Sequence, residues 1–458
     1  MSILCYDFEV FKHDWLVVVK DHDTGQRVII HNDNDAFASL VNEQNIFIGF
    51  NNKHYDRFIA EGVCAGFTPE KIKKINDWII VDKNQGWDCP LLKGNYFRMN
   101  NIDVMDDMQE GQSLKSIEGH LFMDIQETEV DFNLDRPLTA EELTREIGYC
   151  CHDVDATEKI FELRKPYYKS KLRLASMAHA DPIKYLGMTN AKITADMLHA
   201  KAIPHADERK YKYRENLQKQ YIPQNVFDYF NRMYDPKLSD DEVFRGDKLT
   251  FDIDDCVVVM GMGGIHGAIP HFEWKKVGNR IILNYDVGSY YPHLMTICGY
   301  TSRNIPNPEI FIEILDTRMK YKAAGDKANS NALKLVVNTK YGAMLNPYND
   351  LYDPLMARSV CISGQLYLLE MAEHLKHDIP DLKIVQLNTD GIMIECNRDD
   401  YGAVQDIVNE WQKRTGFELE EDRIKYIVQK DVNSYIEIRD DGSVKYKGGY
   451  LVRGVAED

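Results

Sequence analysis

The N-terminal segment from Ile3 to Val63 alternates strand and helix patterns, and this order restricts the fold more than any other feature of the chain. Apolar residues at every second position, or in short β-branched runs, predict strands, and apolar residues three and four apart predict helices. In chain order the segments are strands ILCYDFEVF, WLVVVKD and RVIIH, helix DAFASLVNE, strand IFIGF and helix YDRFIAEGV. This order predicts a mixed α/β domain.

The rest of the 458-residue chain changes character twice. A helix-rich stretch covers about 139–235 and begins with the N-cap residue Thr139 followed by acids. The composition changes over 236–270, which contains the glycine cluster GMGGIHGA, and strand and helix patterns then alternate again. With 44% apolar residues the chain can bury two or three cores of ordinary size. We expect an α/β multidomain protein with a domain boundary near residue 185.

Composition narrows the function classes. No segment reaches the roughly 18 apolar residues of a membrane span, and MSILCYDFEVF lacks the basic region of a signal peptide, so we expect a cytoplasmic protein. The nine cysteines include no C-x-x-C spacing, which predicts reduced thiols. The net charge of −18 disfavours a phosphate-rich partner. However, residues 318–340 hold six bases against one acid, which suits either an anion or a solvated helical face.

Three segments of the second half place polar residues where sites are commonly built. Asp286 ends the strand pattern RIILNYD, and a strand end directs a side chain while leaving it accessible. Lys334, Asn338 and Tyr341 share one face of the helix pattern KLVVNTKYG, which faces either solvent or a triphosphate. Asp390 lies in QLNTDG, where an Asp-Gly pair is also a common hairpin turn.

The first half offers a set of carboxylates. Asp7 and Glu9 lie two apart on a strand and therefore point to the same face. Asp56 begins a helix pattern, and Tyr149 and Asp153 lie four apart on one helical face. Each acid alone is a common surface residue. Four converging carboxylates are what a two-metal nuclease requires.

In order, DVGSYYP, KLVVNTKYG and QLNTDG resemble the family B DNA polymerase motifs D-x-x-S-L-Y-P, K-x-x-x-N-S-x-Y-G and Y-G-D-T-D-S. The first-half carboxylates resemble, in their order, the DnaQ-like 3′-5′ exonuclease of the same family. SLKSI resembles its S/T-L-x-x-h segment, GMGGIHG its Y-x-G-G segment and QKDVNSY its primer grip. The resemblance covers about residues 3–450 and is closest to the compact phage and plasmid members.

The resemblance implies a two-metal polymerase site. Asp286 and Asp390 match the carboxylates that hold two Mg²⁺ ions, or Mn²⁺ in their place. Asn388 stands where the family has its other hairpin acid, and an amide oxygen is a weaker ligand. The implied contacts to the incoming nucleotide are Tyr291, Arg318, Lys322, Lys334, Asn338 and Tyr341. The implied contacts to DNA in this half are Gly263, Gly264, Gly342, Lys430 and Tyr435.

The resemblance also implies a two-metal exonuclease site. Its metal ligands would be Asp7, Glu9, Asp56 and Asp153, with Tyr149 orienting the attacking water. The implied contacts to the frayed 3′ strand are Asn51, Ser113 and Leu114. Asn52 is the alternative to Asn51, and the spacing before Tyr55 favours Asn51.

The resemblance further implies a domain layout. Residues 1–185 would be an RNase H-like exonuclease domain, 186–270 a connecting region and start of the palm, and 271–308 the palm, an antiparallel sheet with helices. Residues 309–345 would be helical-hairpin fingers, and 346–458 the remaining palm. The short stretch from Asp286 to Lys334 leaves no room for the insertion of protein-primed members. Because relatives continue into a thumb after the segment matching GGYLVRGVAED, we expect no thumb here and a poor grip on duplex DNA.

We therefore expect a DNA-directed DNA polymerase with proofreading exonuclease, acting on primer–template DNA and dNTPs in phage or prophage replication within a bacterial cytoplasm. Its expected partners are replication accessory proteins or a polypeptide that supplies a thumb. Two alternatives stay open. One is a 3′-5′ exonuclease only, since that site keeps all its acids while the hairpin holds one. The other is a non-catalytic DNA-binding component of the replisome.

Overall fold

A computed structural model describes residues 2–108 and 111–448. These residues fall into two compact units. The first extends to Ile193 and also takes in Lys327–Ala332, and the second holds Thr194–Asp326 and the described residues 333–448. The boundary near residue 185 remains a prediction. Residues 449–458, on which the expectation about a thumb depends, lie outside the described residues.

The first unit is built on a five-stranded sheet of described residues. Its strands are β1 Ser2–Val10, β2 Trp15–Asp21, β3 Arg27–His31, β4 Asn45–Gly49 and β5 Asn100–Asp103. Their order is β3-β2-β1-β4-β5, antiparallel among β1, β2 and β3, and parallel among β1, β4 and β5. The strand patterns predicted between Ile3 and Val63 are confirmed.

Helices cover both faces of this sheet. They are α1 Asn34–Leu40, α2 Asp56–Cys64, α3 Pro69–Ile80, α4 Leu114–His120, α5 Ala140–Leu163, α6 Lys165–Met177, α7 Pro182–Leu186 and α8 Asn190–Met197, which crosses the unit boundary. The predicted N-cap is confirmed, because Thr139 and Glu142 form a reciprocal capping box at the start of α5. Alternation along β1 sends Tyr6 and Phe8 into the core with α2 and α3, while Cys5 joins Cys150 of α5 in the opposite core.

The second unit contains a ten-stranded antiparallel sheet of described residues. Its strands are β6 Leu249–Ile253, β7 Cys256–Gly261, β8 Gly264–Ala268, β9 Phe272–Lys275, β10 Arg280–Val287, β11 Lys383–Leu387, β12 Gly391–Asn397, β13 Leu419–Asp431, β14 Ser434–Arg439 and β15 Val444–Lys447. The order is β15-β14-β13-β10-β12-β11-β8-β7-β6, with β9 paired to β13. The glycine cluster forms the β7–β8 hairpin within this sheet.

Helices complete the second unit. They are α9 Gln224–Asn231, α10 Asp240–Phe244, α11 Tyr290–Ile297, α12 Glu309–Ala323, α14 Pro354–Asp378, α15 Tyr401–Thr415 and α13 Lys327–Leu345, whose first residues belong to the first unit. The predicted pair of helices over 309–345 is confirmed, and Gly325 supplies the left-handed turn between them at φ +73°. The Lys340 ammonium of α13 lies 3.4 Å from the ring centroid of Phe311 on α12. Every cysteine is a free thiol. Within the described part of the chain, no helix combines the length and apolar character needed to cross a membrane.

Candidate active sites

In the first unit, β1 and the start of α2 bring three predicted metal ligands together. Asp7 and Glu9 lie on the β1 face that is turned toward α5. Asp56 is the first residue of α2, and its Oδ1 accepts a hydrogen bond of 3.2 Å from the Phe8 backbone N–H. Glu9 is 7% exposed and Asp56 only 2%. The sheet therefore holds a buried group of acids around the middle of β1.

Helix α5 adds a thiol to this group. The Cys150 Sγ donates to the Asp7 carbonyl oxygen at 3.3 Å and lies 3.7 Å from Asp7 Oδ2. Ligand atoms of Asp7, Glu9 and Cys150 all lie within 4.8 Å of one another. The sequence patterns pointed to Tyr149 and Asp153 as site residues but not to Cys150. The only sequence feature that could have pointed to Cys150 is its position next to Tyr149 in YCCHD.

Electrostatics at this site favour a bound cation. Burial is the main reason why the pKa values of Asp7 and Glu9 lie well above the usual range, and repulsion from neighbouring carboxylates adds to it. Burial also raises the pKa of Asp56 to about 7, although the hydrogen bond from Phe8 opposes this. Carboxylate oxygens are the ligands that Mg²⁺ and Mn²⁺ prefer, and a divalent ion would neutralise the crowded charge. The residues present fit the metal pair that the resemblance implies.

Asp153 is held by a lysine that the sequence reasoning did not single out. Lys115 Nζ lies 2.5 Å from Asp153 Oδ1 and 4.9 Å from the ring centroid of Tyr149. Burial and the charge of Asp153 raise the pKa of Tyr149. Lys115 belongs to SLKSI, and its position next to Ser113 and Leu114 is the only sequence feature that could have pointed to it. Only the packing of α4 against α5 revealed that its ammonium neutralises part of the acidic group.

The predicted contacts to single-stranded DNA lie on neighbouring segments of the same unit. Ser113 caps α4 by accepting from the Ser116 N–H at 3.1 Å, and Leu114 packs partly into the core. Asn52 is fully buried and donates to Asn101 Oδ1 and to the Ile102 carbonyl. Asn51, at φ +55°, is half-buried. Burial of Asn52 is consistent with the preference for Asn51.

The pKa of Asp56 predicts a pH dependence of stability. An aspartate in an unfolded chain titrates near about 3.9, whereas folded Asp56 has a pKa of about 7. Between these values the folded state keeps a proton that the unfolded state has lost, so metal-free protein should lose stability as the pH rises. Asp56 alone should contribute at most about 1.4 kcal/mol per pH unit to this slope, and Asp7 and Glu9, whose pKa values are also raised, should add to the decline. Urea midpoints in the presence of a chelator, at pH values of about 4 to about 7, would measure it.

The matched variant is Asp56→Asn, whose amide oxygen can still accept from Phe8. It should be more stable than the unmodified protein at the upper end of this range and should show a shallower decline. An equal decline in both proteins would contradict the assignment.

In the second unit, Asp286 and Asp390, the two predicted metal ligands, lie at the same end of one pair of strands. Asp286 on β10 pairs with Gly391 on β12, and the Val287 N–H donates to the Asp390 carbonyl at 2.7 Å. Burial raises the pKa of Asp286; the nearby Lys445 ammonium opposes this rise and Asp390 adds to it. Asn284 donates to Asp286 Oδ2 at 2.7 Å. The hairpin turn therefore holds Asp390 beside the end of β10.

Gly391 is required by this pairing. A Cβ at residue 391 would lie 2.3 Å from Asp286 Oδ1 and 2.6 Å from the Tyr285 carbonyl oxygen. These separations are far below van der Waals contact. The glycine in QLNTDG, which departs from the serine of the family motif, is what lets the turn approach Asp286.

Asn388 takes part in a network of neutral amides. Its backbone N–H donates to the Gly391 carbonyl at 2.8 Å, and its Nδ2 donates to Gln386 Oε1 at 3.3 Å. Gln386 Nε2 in turn donates to Gln429 Oε1 at 2.6 Å. Gln386 and Asn388 both differ from the family motif, and their side chains hydrogen-bond to each other. The hairpin therefore satisfies these polar groups without a second acid.

Strand β13 adds acids that the sequence reasoning missed. Glu420 is the register partner of Asp286 on the side opposite Gly391, and Asp422 contributes to the raised pKa of Asp286. Oxygen donors of this kind suit Mg²⁺ or Mn²⁺. Because β13 is distant in sequence from β10, no local pattern pointed to these residues.

The predicted nucleotide contacts form a half-buried part, made of Tyr291, Tyr341 and Arg318, and an exposed part. The rings of Tyr291 and Tyr341 pack at 4.7 Å with an interplanar angle of 71°. Arg318 donates to Ser289 Oγ at 3.2 Å, and its buried Nε has no hydrogen-bond partner among the described residues. Ser289 has a left-handed backbone at φ +52°, a conformation that costs energy in a residue with a side chain. The exposed members are Lys322, Lys334 and Asn338.

The predicted DNA contacts of this unit lie on the sheet and on α13. Gly264, at φ +145°, approaches the QLNTDG turn so closely that a Cβ would lie 3.2 Å from Thr389 Oγ1. Gly263 and Gly342 have open space at the Cβ position. Tyr435 is buried on β14, whereas Lys430 is exposed on β13.

Comparisons with known proteins gave one kind of match. Neither a protein-family model nor a curated protein sequence matches the chain. Among solved structures, the chain is similar to the family B DNA polymerase from the hyperthermophilic archaeon Pyrobaculum calidifontis. The two share 14% sequence identity with a TM-score of 0.45, and the alignment covers 98% of this chain and 60% of that chain. The chain thus spans less than two thirds of that polymerase.

Proposed function

We propose that this protein is a DNA-directed DNA polymerase that extends a primer 3′ end with dNTPs. The observation that carries the proposal is the meeting of Asp286 and Asp390 across the β10–β12 pair, with the Val287 N–H bonded to the Asp390 carbonyl. Two divalent ions, when bound, would activate the primer hydroxyl and stabilise the charge on the transferring phosphoryl group. Asp286 and Asp390 are the residues that would hold them.

The other proposed roles follow from position. The exposed Lys334 and Asn338 and the half-buried Arg318 would hold the triphosphate, because cationic and amide donors bind phosphate oxygens. Tyr291 and Tyr341, packed edge to face, would form the wall beside the nucleotide sugar and base. Lys322 is exposed on α12 as a further phosphate donor. The proposed setting is phage or prophage DNA replication in a bacterial cytoplasm.

We further propose 3′-5′ exonuclease activity in the first unit. Glu9 and Asp56 supply buried carboxylates, Asp7 supplies a half-buried one, and Asp153 joins them from α5. One observation favours exonuclease as the sole activity: the acids around β1 are crowded and buried, whereas the QLNTDG hairpin holds one acid. The proposal therefore needs a test that separates the two sites.

Primer extension on a recessed template provides this test. The protein would carry Asp7→Ala and Glu9→Ala, so that degradation does not mask synthesis, with Mg²⁺ or Mn²⁺ supplied. Template-directed extension would support the polymerase. If nothing is extended while the unmodified protein shortens 3′ ends, the exonuclease-only function replaces it. If neither activity is present but DNA is bound, the protein is a non-catalytic DNA-binding component.

Asn388→Asp should raise nucleotide incorporation. A carboxylate is a stronger ligand for Mg²⁺ than an amide oxygen, and we expect an increase of about tenfold when Mg²⁺ is limiting. Aspartate cannot donate to Gln386, so the variant should also lose about 1 kcal/mol of stability. Single-nucleotide incorporation rates measured against Mg²⁺ concentration would show the effect. Asn433→Asp, in the turn between β13 and β14, is the matched control; no gain over this control would contradict the prediction.

A further inference from the structure

A second group of ligand-type side chains, distinct from Asp7, Glu9 and Cys150, lies between α4 and α5. Glu118 on α4 and His152 and Asp153 on α5 each offer one ligand atom, and these three atoms lie within 4.8 Å of one another. The sequence reasoning did not single out Glu118 or His152. The group differs from the magnesium-type sites because it includes an imidazole.

Two buried atoms of this group have no hydrogen-bond partner among the described residues. Glu118 is completely buried, and its Oε2 is unpaired. The His152 Nε2 also makes no hydrogen bond, and its contact is an ion pair of 3.4 Å with Glu118 Oε1, formed only when the imidazole is protonated. A buried carboxylate oxygen without a partner costs free energy, so it indicates that a ligand completes the site. The Lys115 ammonium partly neutralises the two carboxylates, because its Nζ lies 3.5 Å from Glu118 Oε1 and 2.5 Å from Asp153 Oδ1.

We propose that Glu118, His152 and Asp153 bind a divalent transition-metal ion of the Zn²⁺ type. One imidazole nitrogen with two carboxylate oxygens suits Zn²⁺, whereas Mg²⁺ takes oxygen ligands almost exclusively. Three protein ligands would leave a coordination position for water. The ion would displace the Lys115 ammonium from Asp153, so the lysine holds the place of a cation in the absence of metal.

Occupation of this site would affect the exonuclease, a consequence that rests on the proposed function. Asp153 lies close enough to Asp7 and Glu9 to contribute to their raised pKa values, and it is the residue that both sites share. An ion held by Glu118 and His152 would draw Asp153 toward α4. Zn²⁺ should then inhibit 3′ shortening in a manner that a His152 variant relieves.

Calorimetric titration of the whole chain with Zn²⁺, without Mg²⁺, tests the site independently of catalysis. One equivalent of Zn²⁺ should bind at this site, and His152→Gln and the isosteric Glu118→Gln should each lower its binding affinity by at least about tenfold. His120→Gln, an exposed histidine on α4 outside the group, is the matched control and should bind as the unmodified protein does. Co²⁺ gives a second measurement, because its visible absorption reports nitrogen coordination and should change in His152→Gln.

The outcomes separate the metal site from the proposed function. Unchanged Zn²⁺ affinity in both folded variants, checked by circular dichroism, would overturn the site even if the exonuclease is active. Loss of one equivalent in both variants, with no 3′ shortening by the unmodified protein, would support the site and remove the exonuclease. Loss in both variants, together with relief of Zn²⁺ inhibition in His152→Gln, would support both.

Discussion

Asp390→Ala is expected to abolish primer extension in the Asp7→Ala, Glu9→Ala background. Asp390 and Asp286 are the two carboxylates at the β10–β12 pair, and the proposed phosphoryl transfer would depend on the charge of the metal ions that they would hold. We expect a loss of at least about 10³-fold in the incorporation rate, which corresponds to about 4 kcal/mol of transition-state stabilisation. Incorporation of one nucleotide on a recessed template, followed under single-turnover conditions, measures it directly.

The chain offers a close control for this experiment. Asp441 and Gly442 form a second Asp-Gly turn, between β14 and β15, in which the Asp441 carboxylate accepts hydrogen bonds from Ser443. If an aspartate before glycine only shapes a hairpin, Asp390→Ala and Asp441→Ala should have similar small effects. A selective loss in Asp390→Ala would identify a metal ligand. Equal rates in the two variants would leave Asp390 as a turn residue and contradict the polymerase proposal.

Glu9→Gln is expected to slow 3′ shortening by at least about 10³-fold. The change keeps the shape of the side chain and removes one of the buried charges near Asp7 and Cys150. Because repulsion from Asp7 contributes to the raised pKa of Glu9, the metal-free variant should be at least as stable as the unmodified protein at neutral pH. Loss of activity would therefore not arise from unfolding.

The control for Glu9→Gln is Glu61→Gln, a second buried glutamate of the same unit whose pKa is also raised by burial. Shortening of a 5′-labelled single strand should be normal in Glu61→Gln. Normal shortening in Glu9→Gln would show that the β1 acids are structural. In that case the Asp390→Ala test would need a background other than Asp7→Ala, Glu9→Ala to protect the primer from degradation.

Local patterns were sufficient for much of the secondary structure. The strand and helix order between Ile3 and Val63 and the two helices over 309–345 agree with the structure, because apolar periods of two and of three to four follow from backbone geometry. The glycine cluster shows where this reasoning fails. Glycines permit many backbone conformations, so nothing local distinguished a linker from the β7–β8 hairpin beside Thr389.

The candidate sites divide in the same way. Asp7 with Glu9, and Tyr149 with Asp153, were accessible to sequence reasoning because each pair is related by a strand or helix period. Lys115 beside Asp153 was not, since it depends on how α4 packs against α5. Glu420 beside Asp286 was missed for a similar reason, because strand neighbours in a sheet are set by long-range pairing.

The residues and their spacing thus established which reactive groups this chain can bring to a site. These are carboxylates on strands and helices, and basic residues on two consecutive helices. Tertiary packing determined which groups share a site. It paired Cys150 with Asp7, placed Glu118 against His152 and required glycine at residue 391. The physical reason is range: backbone periodicity acts over a few residues, whereas charge repulsion, burial and steric fit depend on side chains brought together from distant parts of the chain.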